Sequence, residues 1–341
     1  MNAFGRLFRV TIFGESHGAS VGVNIDGCPA GLPLSLEDFL PDIERRKGGS
    51  QKGTTPRKED DLPIFKSGIF NGRTTGAPLT ILFENNNTRS GDYEKQRAVP
   101  RPGHADFVAH EKFGGFEDFR GGGHFSGRLT VALVAAGVIA KKLLAVVGAG
   151  IPVRASILEI GGEADLEKGL QRAIDAKDTI GGIVECRAEG LPIGLGEPFF
   201  DSVESVLSHA VFAIPAVRGI EFGTGFAAAR MFGSQHNDAI EDATGKTRTN
   251  HAGGVVGGIS NGNGLVFRIA VKPTSSTPKE QVTLNWETGE QETFSVKGRH
   301  DLCIALRVPV VLEAVTALVL ADLLLLEQYI PRRMRDDSQG E

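Results

Sequence analysis

Two segments, SGRLTVALVAAGVIAKKLLAVVG (126–148) and VPVVLEAVTALVLADLLLLEQ (308–328), are apolar on nearly every face when wound as helices. A helix with no polar face is surrounded either by lipid or by protein. The longest uncharged apolar run, Leu129–Ala140, has 12 residues, short of the roughly 20 that cross a bilayer. Both helices are therefore predicted to lie buried between sheet layers. Ser126 stands near the start of the first and Gly148 at its stop, and Pro309 fits the first turn of the second. Strands are predicted at 6–13, 78–85, 151–160, 182–189 and 264–273, where β-branched residues alternate or cluster. Helices are predicted at 35–47 with Ser35 as cap, at 165–178, and at 201–214 with Asp201 or Ser202 as cap. Residues 86–125 show almost no regular pattern, and stretches that long in a compact protein are usually functional or disordered. Six aromatic residues there argue for order. No repeat or linker divides the chain, so 1–330 reads as one domain and 331–341 as a polar, disordered tail.

Glycine is 45 of 341 residues, about 13%, against ~7% in ordinary chains. It is clustered at 121–123, 148–150 and 253–264, beside helix or strand signals, which points to loops where backbones or ligands approach closely. The net charge, 37 − 42 = −5, argues against a general nucleic-acid surface. Three dispersed cysteines (28, 186 and 303) offer no metal spacing and fit a reduced, cytoplasmic protein. The N-terminus has no secretory apolar core.

Several stretches can carry chemistry. GESHG (14–18) satisfies the pattern of a serine-hydrolase elbow, which needs a strand before it and a helix after it. The next residues, ASVGVNID, alternate like a second strand, so 14–20 reads as a hairpin turn. RRKGGSQKGTTPRK (45–58) gathers Arg45, Arg46, Lys47, Lys52, Arg57 and Lys58, either a solvated face or a phosphate and carboxylate binder. RPGHADF (101–107) pins His104 in a Pro-Gly turn between Arg101 and Asp106, a setting suited to acid–base work. DFRGGGHFSGR (118–128) runs into the first apolar helix and can offer backbone amides to an anion. It has neither a P-loop lysine nor a dinucleotide fingerprint. NHAGGVVGGISNGNG (250–264) and KPTSS (272–276) combine close-approach glycines with a cation and hydroxyls. In GRHD (298–301), Arg299 and Asp301 share one side of an extended segment, a pattern that also describes a plain salt bridge.

Taken together, GESHG (14–18), RPGHAD (101–106), RGGG (120–123), GSQHND (233–238), NHAGGVVGGISNG (250–262), KPTSS (272–276) and GRHD (298–301) resemble the chorismate synthase family, in its order and over nearly the whole chain. The resemblance implies a single-domain α+β sandwich, with helices enclosed between antiparallel β-sheets, assembling as a homotetramer. It implies loss of phosphate and a ring proton from 5-enolpyruvylshikimate 3-phosphate, giving chorismate with reduced FMN and no net redox change. By position, His17 would protonate the departing phosphate, His104 would assist protonation of reduced flavin, and Asp301 would take the proton at flavin N5. Arg45, Arg46, Lys52, Arg57, Arg120 and Arg128 would contact substrate. Arg46, His124, Phe125, Ser126, Pro215, Ala216, Gly257, Lys272, Pro273, Thr274, Ser275, Ser276 and Arg299 would contact flavin.

Three departures stand out. GGGHFSGRLT places His124 and Phe125 where the family has an arginine and a small residue. Leu302 replaces a proline after Asp301, and Lys52 replaces a frequent arginine, which keeps charge but loses the bidentate fork. No added reductase region is evident, so the flavin is expected to arrive reduced by another protein. Two rivals use the same stretches: a serine hydrolase built on Ser16, and a non-catalytic flavin- or nucleotide-binding protein that needs none of His17, His104 and Asp301.

Overall fold

A computed structural model describes residues 2–49, 52–55, 59–86, 97–296 and 300–334. Two antiparallel sheets form its outer layers. The first contains β1 (Ala3–Phe4), β2 (Arg9–Gly14), β3 (Ser20–Asp26), β4 (Ile64–Ser67) and β5 (Leu79–Glu84), in the order β1-β2-β3-β5-β4. The second contains β6 (Val153–Ile160), β7 (Gly182–Ala188), β8 (Val217–Phe222) and β9 (Leu265–Val271), in the order β8-β9-β7-β6. Alternation sets the register: Val21, Val23 and Ile25 of β3 are all buried, as are Leu79, Ile81 and Phe83 of β5 beside it. β2 pairs with β3 through the 14–20 turn, as the alternation predicts.

Among the described residues, six α-helices of at least seven residues complete the framework: α1 (Leu40–Arg46), α2 (Asp106–Phe113), α3 (Thr130–Leu144), α4 (Leu166–Ala176), α5 (Val203–Val211) and α6 (Val308–Leu326). α3 lies under the first sheet, α6 under the second, and the two pack against each other. The predicted enclosure of apolar helices between antiparallel sheets is the observed architecture. The helix pair is in close approach at Gly137, where a Cβ would stand 2.3 Å from Ala314 Cβ. The segment Ile304–Leu326 is long and apolar enough to cross a membrane, but its most apolar window is 94% buried, so the core accounts for its hydropathy.

Charged residues on α6 have dedicated partners. Glu313 accepts from both terminal nitrogens of Arg45 at 2.7 Å, from Lys141 Nζ at 2.8 Å and from the Ala155 amide at 3.0 Å. Asp322 accepts from the amides of Arg6, Leu7 and Phe8, fastening the N-terminal segment to the core. A buried carboxylate without such partners would be strongly destabilising.

Three departures from the expected elements are informative. α1 starts at Leu40 rather than after Ser35, because Pro41 fits only the first turn. α3 is preceded by short 3-10 turns and ends at Leu144, so Ser126 caps a turn rather than the helix, accepting from the Arg128 amide. The apparently irregular 86–125 stretch contains α2, which stops at Gly114 in a left-handed conformation (φ 62°). At the other end, Arg332 and Met334 pair with Ala30, so the described chain stays docked through 334.

Candidate active site

The β2–β3 turn carries Ser16 and His17, both buried. No helix follows Ser16; its amide donates to the Gly123 carbonyl at 3.0 Å and its hydroxyl accepts from Ser126 Oγ at 3.2 Å. The elbow reading fails on the second strand. Against this turn lies the glycine triplet, with φ of 60° at Gly121, 81° at Gly122 and 51° at Gly123. These left-handed values favour glycine, and space demands it too. A Cβ on Gly121 would meet His17 Nε2 at 2.6 Å, and one on Gly122 would meet His104 Nε2 at 3.3 Å. The triplet is thus the thin partition on which both imidazoles rest.

His104 closes a Pro-Gly turn, its amide donating to the Arg101 carbonyl at 3.1 Å with Gly103 at φ 72°. Across from it, Lys272 Nζ donates to Ser275 Oγ at 2.7 Å, and Ser275 Oγ donates to the Gly103 carbonyl at 2.8 Å. Burial lowers the Lys272 ammonium from its ordinary range, helped by Arg218. Asp301 accepts from the Thr55 amide and from Arg307 Nη1, both at 2.9 Å. The arginine partner seen for Asp301 is thus Arg307. Arg299, with Arg57, lies outside the described residues.

Behind these, Arg46 and Arg128 converge on Asp61. Arg46 Nη2 donates to Asp61 Oδ2 at 2.9 Å and Arg128 Nη1 donates to Oδ1. Burial alone would raise the Asp61 carboxyl, but the two guanidinium charges outweigh it and hold it below its ordinary value. Burial, with Arg307 and Arg128 nearby, brings Arg46 down to about 10. Beside the segment ahead of α6, burial lowers His300 to about 4, which leaves it neutral at physiological pH.

Most of these groups line one cavity of about 500 Å³, within the range of small-ligand sites. It brings together His17, Arg46, His104, Phe125, Ser126, Arg128, Pro215, Ala216, Lys272 to Ser276 and Asp301. Its described lining has six cations (Arg46, Lys47, Arg101, Arg128, Lys272, Arg307) and three carboxylates (Glu59, Asp61, Asp301). In a chain of net charge −5, that local excess marks the cavity as a place for anions. Lys47, Asp61, Arg101, His300 and Arg307 were not among the predicted ligands. Three of them carried a signal: Lys47 in the basic cluster 45–58, Arg101 as the flank of His104, and His300 within GRHD.

Other predicted residues are elsewhere. Arg45 is bound up with Glu313 and Asp42. Lys52 is exposed and donates to Gln171 Oε1. Arg120 forks onto Asp118 at 2.7 and 2.8 Å, away from the cavity lining. Gly257 sits in the Val255–Ser260 hairpin. His124 lines a neighbouring cavity of about 560 Å³ and contacts the Gly14 carbonyl and Asn2. The two cavities share Arg101, His104, Ala105 and Phe125.

Residues 8–325 match the sequence profile described as chorismate synthase. The chain belongs to the chorismate synthase family. A chorismate synthase of Chitinophaga pinensis is 76% identical over 96% of this chain and 98% of its own length. One from Dehalococcoides mccartyi is 45% identical over 97% of this chain and 98% of its own. A solved chorismate synthase superposes with a TM-score of 0.73 at 27% identity, covering 95% of this chain and 93% of that one. The activity is accordingly that of the family, a carbon–oxygen lyase reaction on a phosphate ester that yields chorismate for aromatic amino-acid biosynthesis.

Proposed function

We propose that the 500 Å³ cavity is where 5-enolpyruvylshikimate 3-phosphate loses phosphate and a ring proton, beside a reduced FMN delivered by a separate reductase in the cytoplasm. The supporting observation is the meeting of His17, His104 and Asp301 with a surplus of cations around one space. In the elimination, the C–O bond to phosphate breaks with its electron pair, a C–H bond gives up its proton, and a second ring double bond forms. Bound reduced flavin would lend electron density as phosphate departs and recover it with loss of the proton, leaving no net redox change.

The residues fit such a cofactor. Thr274 Oγ1 and Arg46 Nε are buried without a partner, a cost of about 1–3 kcal/mol each that a polar ligand would remove. Pro215, Ala216 and Phe125 supply apolar wall. Lys272, Ser275 and Ser276 would hold the cofactor phosphate, and Arg46 and Arg128 the substrate anions. His17 would supply the proton to the leaving phosphate, while His104 would hold one at the flavin. Asp301 would accept the ring proton at N5.

Asp301 supplies the test, because its bond to Arg307 gives it a purely structural alternative. Asparagine keeps the shape but cannot take a proton at neutral pH. Asp301→Asn should reduce turnover under saturating ligands by roughly 10²–10⁴-fold with little change in melting temperature. Near-normal turnover in a less stable protein would assign Asp301 to the ion pair alone.

A homotetramer is also proposed, supported by Phe199, Phe200, Phe226 and Phe232, each at least 77% exposed. Contiguous exposed apolar surface marks contact sites, and Phe199 and Phe200 are consecutive in the chain. Sedimentation should give four times the 36.2 kDa chain, and a monomer at micromolar concentration would rule this out.

A further inference from the structure

His104 Nδ1 lies 2.5 Å from Asp106 Oδ1 and 3.0 Å from Arg101 Nη2. The two contacts demand opposite things of that nitrogen. A lone pair on Nδ1 could accept from Arg101 but would sit against a carboxylate oxygen at a distance only a shared proton allows. The proton is therefore on Nδ1 and donated to Asp106. Arg101 is already engaged elsewhere: Nε donates to Asp106 Oδ2 at 2.7 Å, Nη2 to Oδ1 at 2.7 Å, and Nη1 to Ser276 Oγ at 3.0 Å. Asp106 also accepts from the Arg101 amide at 3.1 Å and opens α2, where the helix dipole favours a negative charge.

We infer that Asp106 is a positioning residue, fixing His104 with Nδ1 protonated and Nε2 open beside Gly122, while Arg101 locks this pair to the Ser276 end of the 272–276 loop. Burial would raise the Asp106 carboxyl, yet the bonds from Arg101 and His104 outweigh it and hold it well below the ordinary range. It stays a carboxylate at neutral pH and cannot protonate Nδ1 itself. Among the described residues, the other charged or titratable neighbours on this side include His300, ahead of α6, and Lys272, reached through Ser275 and the Gly103 carbonyl. With one ring nitrogen engaged, only Nε2 is left to exchange a proton with a ligand.

The inference rests on the acid–base role proposed for His104, and two readouts keep them separable. In ligand-free protein with ¹⁵N-labelled histidine rings at pH 8, His104 (assigned by its loss in His104→Ala) should show the Nδ1–H tautomer. Asp106→Asn should move it wholly or partly to Nε2–H, since the Asn amide can donate to Nδ1. The Nε2–H form in the unaltered protein, or no change in the variant, overturns the inference, and the first of these needs no variant to fold. In turnover, Asp106→Asn should lower kcat at least about tenfold, the low end of what losing a carboxylate that orients a histidine costs, with KM little changed. In a His104→Ala background the same substitution should cost nothing further; an equal loss there overturns the inference. Full activity of His104→Ala alone would instead defeat the role given to His104, leaving the tautomer to decide Asp106.

Discussion

Gly121 shows how much of the site depends on what is absent from a side chain. An alanine there has two separate faults: φ of 60° and a Cβ 2.6 Å from the His17 ring. Gly162 isolates the first, since its φ is 83° and nothing lies within 4 Å of its Cβ. Left-handed backbone costs an alanine about 1–2 kcal/mol, so both Gly→Ala variants should lose stability on that scale. Gly121→Ala should also lose turnover at least tenfold, because the imidazole must move, whereas Gly162→Ala should not. Equal turnover in the two variants would remove the glycine partition from the account. The same scale shows what residue-level reading could and could not see. Histidines in Gly-rich turns were legible as chemistry, and most residues matched by motif lie in one cavity. Arg45 was legible as a cation, but its partner Glu313 lies on α6, far along the chain, and nothing in RRKGG ties it to the core. Arg46, next to it, faces the cavity; helical geometry separates the two. Asp61 was invisible because its role is set by two arginines from different segments.

At the scale of elements, the apolar helices and alternating strands were plain, since their burial follows from composition and period. α2 was missed because its apolar residues do not gather on one face and Ala105 provides no side-chain cap; its signal was the Gly114-Gly115 stop. The start of α1 was recoverable from Pro41 alone. The central helix pair makes a sharper claim. In an exposed helix, alanine is favoured over glycine by about 1 kcal/mol. At Gly137 the added Cβ would meet Ala314 Cβ at 2.3 Å, and overpacking typically costs about 1–3 kcal/mol. Gly137→Ala should therefore lower the melting temperature; a rise would mean that α3 and α6 do not approach this closely.

Across the whole molecule, the cavity exists because segments remote in sequence are held between and beside the two sheets: the β2–β3 turn, the end of α1, the 101–128 stretch, Pro215-Ala216, the 272–276 loop and the entry to α6. The sequence order of the motifs carried their identity, but their convergence depends on helices that bury 126–148 and 308–328 at the centre. Cations drawn from different segments thus face one space, as the proposed side-by-side binding of substrate and cofactor requires. The most direct measurement is anaerobic mixing of the purified protein with photoreduced FMN and 5-enolpyruvylshikimate 3-phosphate, following chorismate absorbance. Chorismate should form over many turnovers, with no net flavin oxidation, and oxidised FMN should support none. No chorismate from reduced flavin and substrate, or formation at the same rate with oxidised flavin, would contradict the account.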